Sequence, residues 1–245
     1  MTALTFEQTR QGYELAIENG LQLLRASVTL IFEFPEQALG LAQLGQEEIG
    51  KSMSLLAAFS LPPDPEAWRW LWGDWRRHDL KAHRAFLYEL IDPLRIETTA
   101  PDGKRLAGLP SRDKISQEKE FAFYVNFDEH SGMFVAPNAT ISRDEAFNRV
   151  FTLLYLGFAA HDIGAVLTDE NERERIIAFS PIAVRICTEN LYQQDMPAIL
   201  DKFAEAGAEQ KAIVDGIRGA SKKRNEWLSQ MVQQVKEKRD ASKKA

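Results

Sequence analysis

A mainly α fold, a helical bundle with a small β excursion, is what this sequence predicts, on three observations. Apolar residues recur every three or four positions along most of the chain. Proline, glycine and capping signals cut those runs into helix-sized pieces. One short stretch alternates apolar and polar residues as a strand does.

The pieces follow in order. Tyr13, Ile17, Leu21, Leu24, Val28 and Ile31 keep helical spacing, giving a first long helix that ends near Phe34-Pro35. A second is expected from about Glu36 to Ser60, with Ala38, Ala42 and Gly45 on one face to permit close helix–helix approach. Leu61-Pro62-Pro63-Asp64-Pro65 breaks the chain, and Pro65 suits the first turn of a third helix, from about Glu66 to Leu90. Its Trp68, Trp72 and Trp75 read as core, with a base-stacking surface as the alternative. Asp92-Pro93 closes that helix and opens an insertion over about 95–140. There Pro101-Asp102-Gly103 is a turn signal. Phe121, Phe123, Val125 and Phe127 alternate as a strand, and Met133-Phe134-Val135 can pair with it as a hairpin. The insertion holds too few apolar residues for a core of its own.

Helix resumes after the capping box Ser142-Arg143-Asp144-Glu145, with Val150, Leu153, Leu154, Gly157 and Phe158 behind it. Asn171 to Phe179 and Pro181 to Leu191 read as two further pieces. Beyond Met196-Pro197 come Ile199 to Arg218 and a charged segment around Trp227, Met231, Val232 and Val235. This divides the chain into a helical domain over 1–195 and a C-terminal helical extension over 196–245.

A net charge of -6 and a pI near 5.4 do not suggest a general nucleic-acid binder. The average hides a basic tail, since Lys222 to Ala245 holds eight Lys or Arg against three acids. That tail reads as a solvated helix end or as a contact for RNA or an acidic partner. The single Cys187 excludes an internal disulfide and a thiolate metal cluster, and fits a reducing cytoplasm. The first residues lack the basic and apolar regions of a secretory signal. The sequence predicts no apolar stretch approaching the ~20 residues of a membrane span, so a soluble cytoplasmic protein without a membrane partner is the expectation.

Ionisable residues interrupt two of the helical stripes. The second helix reads Leu41, Leu44, Glu48, Lys51, Leu55, and the third reads Trp68, Leu71, Trp75, His78, Ala82, Ala85. An acid and a base turned toward a core need partners, because unpaired burial costs several kcal/mol. Glu48, Lys51 and His78 are therefore expected to meet, as a structural clamp or as a site. A surface ion pair between Lys51 and Glu47 or Glu48 is the plainer alternative.

Arg77-His78-Asp79-Leu80-Lys81-Ala82-His83 offers a second pattern. An arginine followed five to seven residues later by a histidine puts both near one helical face, and Arg76 with His83 does so best. Such a pair suits RNA hydrolysis without metal: the guanidinium holds the phosphate and the imidazole exchanges a proton with the 2′-hydroxyl or the leaving 5′-oxygen. Arg76, Arg77, Lys81 and Arg84 would attract the RNA. Metal ligands of suitable spacing are missing, with no His-x3-His or Glu-x-x-His pattern, so neither metal nor cofactor is expected. His161 shares a stripe with Leu154, Phe158 and Ala165 and reads as a hydrogen-bonded core histidine.

Glu47-Glu48-Ile49-Gly50-Lys51 at the end of a small-residue helix, together with Trp75-Arg76-Arg77-His78-Asp79-Leu80-Lys81, resembles the AbiV family of abortive-infection proteins, a branch of the HEPN-like helical proteins. Phe123-Tyr124-Val125-Asn126 is similar to a short aromatic element of that family, with Asn126 standing in place of Asp, and the resemblance implies a supporting polar cluster of Glu47, Glu48, Lys51, Lys81 and Tyr124. The likeness covers roughly residues 10 to 165. It implies a HEPN-like bundle, a homodimer, and a role in halting phage propagation by shutting down RNA or translation. HEPN ribonucleases carry Arg and, a few positions on, His, which transfers to Arg77 and His83, with His78 as the competing histidine. The alternative it leaves open is a protein without enzymatic activity that binds a phage-encoded factor or a host translation factor.

Overall fold

The computed structural model describes residues 2–91, 122–124, 126–128, 132–136, 141–168, 171–189 and 196–242. Most of the expected 95–140 insertion, and the Pro101-Asp102-Gly103 turn within it, lie outside them. The described elements are α1 (Phe6–Leu30), α2 (Pro35–Ala58), α3 (Arg69–Trp75), α4 (His78–Ala85), α5 (Leu87–Ile91), β1 (Asn126–Asp128), β2 (Met133–Val135), α6 (Arg143–Leu167), α7 (Glu172–Thr188), α8 (Met196–Ala204) and α9 (Ala208–Ser242). The protein is mainly helical, as predicted.

α1 starts where Thr5 and Gln8 form a reciprocal capping box, each side chain meeting the other's backbone N–H. α2 has Pro35 in its first turn, the position where a missing N–H costs nothing. It is the central helix, buried on nearly every side by α1, α4, α6 and α7. Small residues let it sit there: a Cβ on Gly45 would come within 2.9 Å of the Gly20 carbonyl on α1. Tyr13, Leu24, Leu39, Ile49, Met53, Leu56, Tyr88 and Phe179 fill the core around it.

The third helix is not continuous. It stops at Trp75, and Arg77 is extended (φ -97, ψ 106) before α4 begins. The cause lies in tertiary pairing: the Arg84 guanidinium bonds the Asp74 carboxylate and donates to Ser54 Oγ at 2.7 Å. Ten residues of unbroken helix would hold Asp74 and Arg84 about 15 Å apart along the axis. The break folds α4 back so that they meet.

α7 is also different, running as one helix through Pro181. Beside that proline, Ser180 Oγ donates to the Ala57 carbonyl of α2 at 3.2 Å. The strand is shorter than the alternation suggests. Among the described residues Asn126–Asp128 pairs, antiparallel with Met133–Val135, while Ala122 and Phe123 are helical. Phe121 and Val125 lie outside the described residues.

α6 is capped by the Ser142 hydroxyl, which accepts from the Glu145 N–H at 3.1 Å. Its segment Asp144–Leu167 is, against expectation, long and apolar enough by length and composition to cross a bilayer. Here 61% of its most apolar window is covered by the other helices, the condition of a bundle's core helix. α8 and α9 pack against each other, and α9 lies along α6.

Candidate functional site

The polar residues of α2 and α4 meet because Gly50 lets the two helices almost touch. A Cβ at Gly50 would lie 1.6 Å from the Lys81 carbonyl oxygen, so only glycine fits. One turn earlier, Gln46 Nε2 donates to the Ala82 carbonyl at 2.7 Å. That carbonyl lacks its usual helical donor, since the Phe86 N–H turns to the His83 carbonyl as α4 ends. The α2–α4 crossing is thus fixed by one steric and one hydrogen-bonded contact, and it sets the register of everything nearby.

At this crossing Glu47 reaches His78 and Lys81. Glu47 Oε2 is 2.6 Å from His78 Nδ1 and 3.6 Å from Lys81 Nζ. The Glu47 side chain is 7% exposed and that of His78 is 64% exposed, so the ring edge away from the carboxylate meets solvent. With Glu47 ionised, Nδ1 carries the proton and Nε2 is left as the acceptor. Burial lowers the pKa of Lys81, an effect the Glu47 carboxylate opposes and the nearby Lys51 charge reinforces. Lys51 pairs with Glu48 at 2.5 Å and lies over the Trp75 ring at 5.5 Å, half-buried.

The expected partners were thus in part the wrong neighbours. The stripe through Leu41, Leu44, Glu48 and Lys51 is half-buried, while the deeply buried acid is Glu47. Embedded on almost all sides, α2 has no single apolar stripe for spacing to find. Gln46 and Ser52, which hold the Ala82 carbonyl and the Tyr88 hydroxyl, were missed for the same reason.

The arginine–histidine spacing fares differently. Arg76 closes α3 and Arg77 precedes α4, so neither shares a helix with His83. His83 is half-buried and lies about 140° around α4 from His78. Arg77 is exposed and pairs with Asp79 at 2.9 Å. Arg84, expected to touch RNA, is buried, with its guanidinium against Asp74, Ser54 and the Trp70 ring. Tyr124 is exposed beside Phe123, whose ring covers Gly40. That is seven residues, about 10 Å of helix, before Glu47. His161, expected in the core, is exposed on α6.

The AbiV profile of the HEPN group matches residues 8–153, which includes α1, α2, the α4 crossing and the first part of α6. The chain belongs to the AbiV family. No curated protein and no solved structure matches it. Membership supports a role in abortive infection, and the Glu47–His78–Lys81 cluster lies within the matched span. The end of α6 and all of α7, α8 and α9 lie beyond it.

Proposed function

We propose that this AbiV-family protein is a cytoplasmic abortive-infection effector that cleaves RNA without metal, using His78 as its acid–base group. One observation carries the reading: the exposed His78 ring is held at Nδ1 by a buried carboxylate from another helix. Glu47 fixes the tautomer and steadies the imidazolium that forms. His78 Nε2 takes the proton of a ribose 2′-hydroxyl as that oxygen attacks the adjacent phosphorus. The bond to the 5′-oxygen breaks, and the same imidazolium returns its proton to that leaving oxygen. The products are a 2′,3′-cyclic phosphate and a free 5′-hydroxyl. Arg77, next to His78 and exposed, offers the guanidinium for the phosphate oxygens.

The test is RNA integrity in EDTA, with wild type, His78→Ala and His83→Ala incubated with ribosomal, transfer and messenger RNA. Cleavage by wild type and His83→Ala, with a loss of at least about a hundredfold in His78→Ala, supports the assignment. Cleavage that depends on His83 and not on His78 overturns it.

A second reading, a non-enzymatic protein that blocks translation by binding a phage or host factor, has its own observation. Phe32, Phe34, Phe123 and Tyr124 are all exposed about the first turns of α2, and Met133 and Phe134 are exposed on the hairpin. Intact RNA in every sample, with protection from phage lost on Phe34→Ser and kept on His78→Ala, favours that reading.

A further inference from the structure

Helix α9 is 35 residues long and seats its first turns by one face. Ile213, Val214, Ile217 and Ser221 are buried and fall within about 100° of one another around the helix. That face lies along α6. Arg224 Nη1 donates to Asp162 at 2.5 Å, and Trp227 meets Phe158 edge to face at 5.0 Å. Asp162 also stands 3.5 Å from its neighbour His161.

Beside this seam runs a groove of about 750 Å³, walled by α6, α7 and α9. At one end Arg175 of α7 pairs with Glu209 and donates to the Val166 carbonyl at 3.1 Å. At the other stands Trp227, 45% exposed. Between them α9 contributes Ala212, Gly216, Gly219 and Ala220, side chains too small to fill the space. From Ala212 to Trp227 the wall is about 22 Å long, or four helical turns.

The two glycines of that wall differ. Gly216 is demanded by the fold, since a Cβ there would come within 2.9 Å of Val166. A Cβ at Gly219 would meet nothing within 4 Å among the described residues. Glycine weakens a helix interior more than any residue but proline, and no described neighbour comes close enough to Gly219 to need it. Elsewhere in this chain a missing Cβ is where helices close on one another, at Gly45 against Gly20 and at Gly50 against Lys81. Gly219 turns the same device outward, toward the groove.

Charge selects the occupant. Arg175, Lys223 and Arg224 line the groove against one carboxylate, Asp162. The two arginines are each held by an acid, whereas exposed Lys223 has no carboxylate within ion-pair reach among the described residues. A second copy docked by this face would bring its own Lys223 against the first. We propose that the groove receives an amphipathic α-helix of another protein, its apolar residues over Gly219, Ala220 and Trp227 and an acidic flank against Lys223. Every wall residue lies beyond the matched span 8–153, and none belongs to the Glu47 crossing or to the aromatic patch about Phe34.

The test is fluorescence polarisation on the full chain with a labelled helical peptide of about four turns, leucine on one face and glutamate on both flanks. A lysine-flanked peptide with the same leucines is the comparison. Wild type should bind the acidic peptide at least about tenfold more tightly, a difference of about 1.4 kcal/mol. Gly219→Leu fills the open space and should lose about tenfold or more. Gly219→Ala should raise the melting temperature while weakening the peptide, a combination that a purely structural glycine would not give. Lys223→Glu should reverse the preference between the two peptides, and His78→Ala and Phe34→Ser should bind as wild type. The proposal is overturned by no acidic-peptide binding to folded wild type, by equal binding of both peptides, or by Gly219→Leu binding as wild type. A wild-type dimer that Gly219→Leu abolishes overturns it in favour of a second copy.

Discussion

Glu47–His78 and Asp162–His161 are the same chemical pair assembled in opposite ways. In the first, the carboxylate comes from a different helix, thirty-one positions away, and is almost fully buried. In the second, it is the next residue along, half-buried, and is steadied from outside by Arg224. The first pair therefore depends on the approach of two helices, and the second on one cross-helix ion pair. Damage should follow that difference. Loosening the α2–α4 crossing ought to cost both stability and the site, whereas changes around His161 should alter charge and leave the bundle intact.

The most severe break is Gly50→Ala, which must push α4 off α2 because the new Cβ would overlap the Lys81 carbonyl. A loss of about 3 kcal/mol or more in urea unfolding is expected, at the upper end of overpacking effects. The matching change beside the second pair, Gly164→Ala, meets only ordinary to tight contacts and should cost under about 1 kcal/mol. Equal losses would mean that the crossing is not as close as described.

Removing the acids ranks next. Glu47→Ala strands the buried Lys81 and should cost about 3 to 5 kcal/mol. Asp162→Ala strands Arg224, but water reaches that carboxylate, and about 2 kcal/mol is expected. If the order of the two losses reverses, α9 is a larger support of the fold than α4.

A smaller effect sharpens the contrast through pH. The hydrogen bond and charge of Asp162 raise the His161 pKa above its ordinary 6.5, against partial burial and Arg25. A raised folded value means that the native state binds the proton more tightly. That stabilisation is complete below the ordinary histidine value and is lost as pH rises through the raised one. Melting temperature should therefore fall over that window in wild type, and His161→Gln should remove the fall. A curve that His161→Gln leaves unchanged would show that Asp162 serves Arg224 alone.

The slightest expected signal is at Cys187, where burial pushes the thiol pKa up to about 11. Alkylation by iodoacetamide near neutral pH should be slow in the native protein and fast in urea, because the thiolate is the reactive form. Rapid native labelling would place an opening of α7 within reach.

Much of the fold was legible from local physics. Thr5 with Gln8, Pro35, and Ser142 with Glu145 mark helix starts that a chain of these residues must satisfy wherever it packs. The hairpin partner Met133–Val135 was visible in the same way, and so was the need of the ionisable residues on α2 and α4 for partners, although the acid expected at the core was Glu48 and the one found there is Glu47. The break at Arg77 was not, since no proline or glycine sits there and its cause is Asp74 meeting Arg84. Neither was the exposure of His161, because α6 is apolar nearly all round and periodicity cannot say which side faces water.

By itself, then, the sequence determined a helical AbiV-type chain, where several of its helices begin, and that α2 and the following helix carry acids and bases needing partners. Only the tertiary structure decided that Glu47 and not Glu48 takes His78, that Arg84 belongs to the core, and that Arg224 reaches back to fix Asp162. The physical reason is range. Caps and turns are settled within four residues, whereas an ion pair between helices depends on how closely they pack, and here that distance is set by the missing Cβ of Gly50.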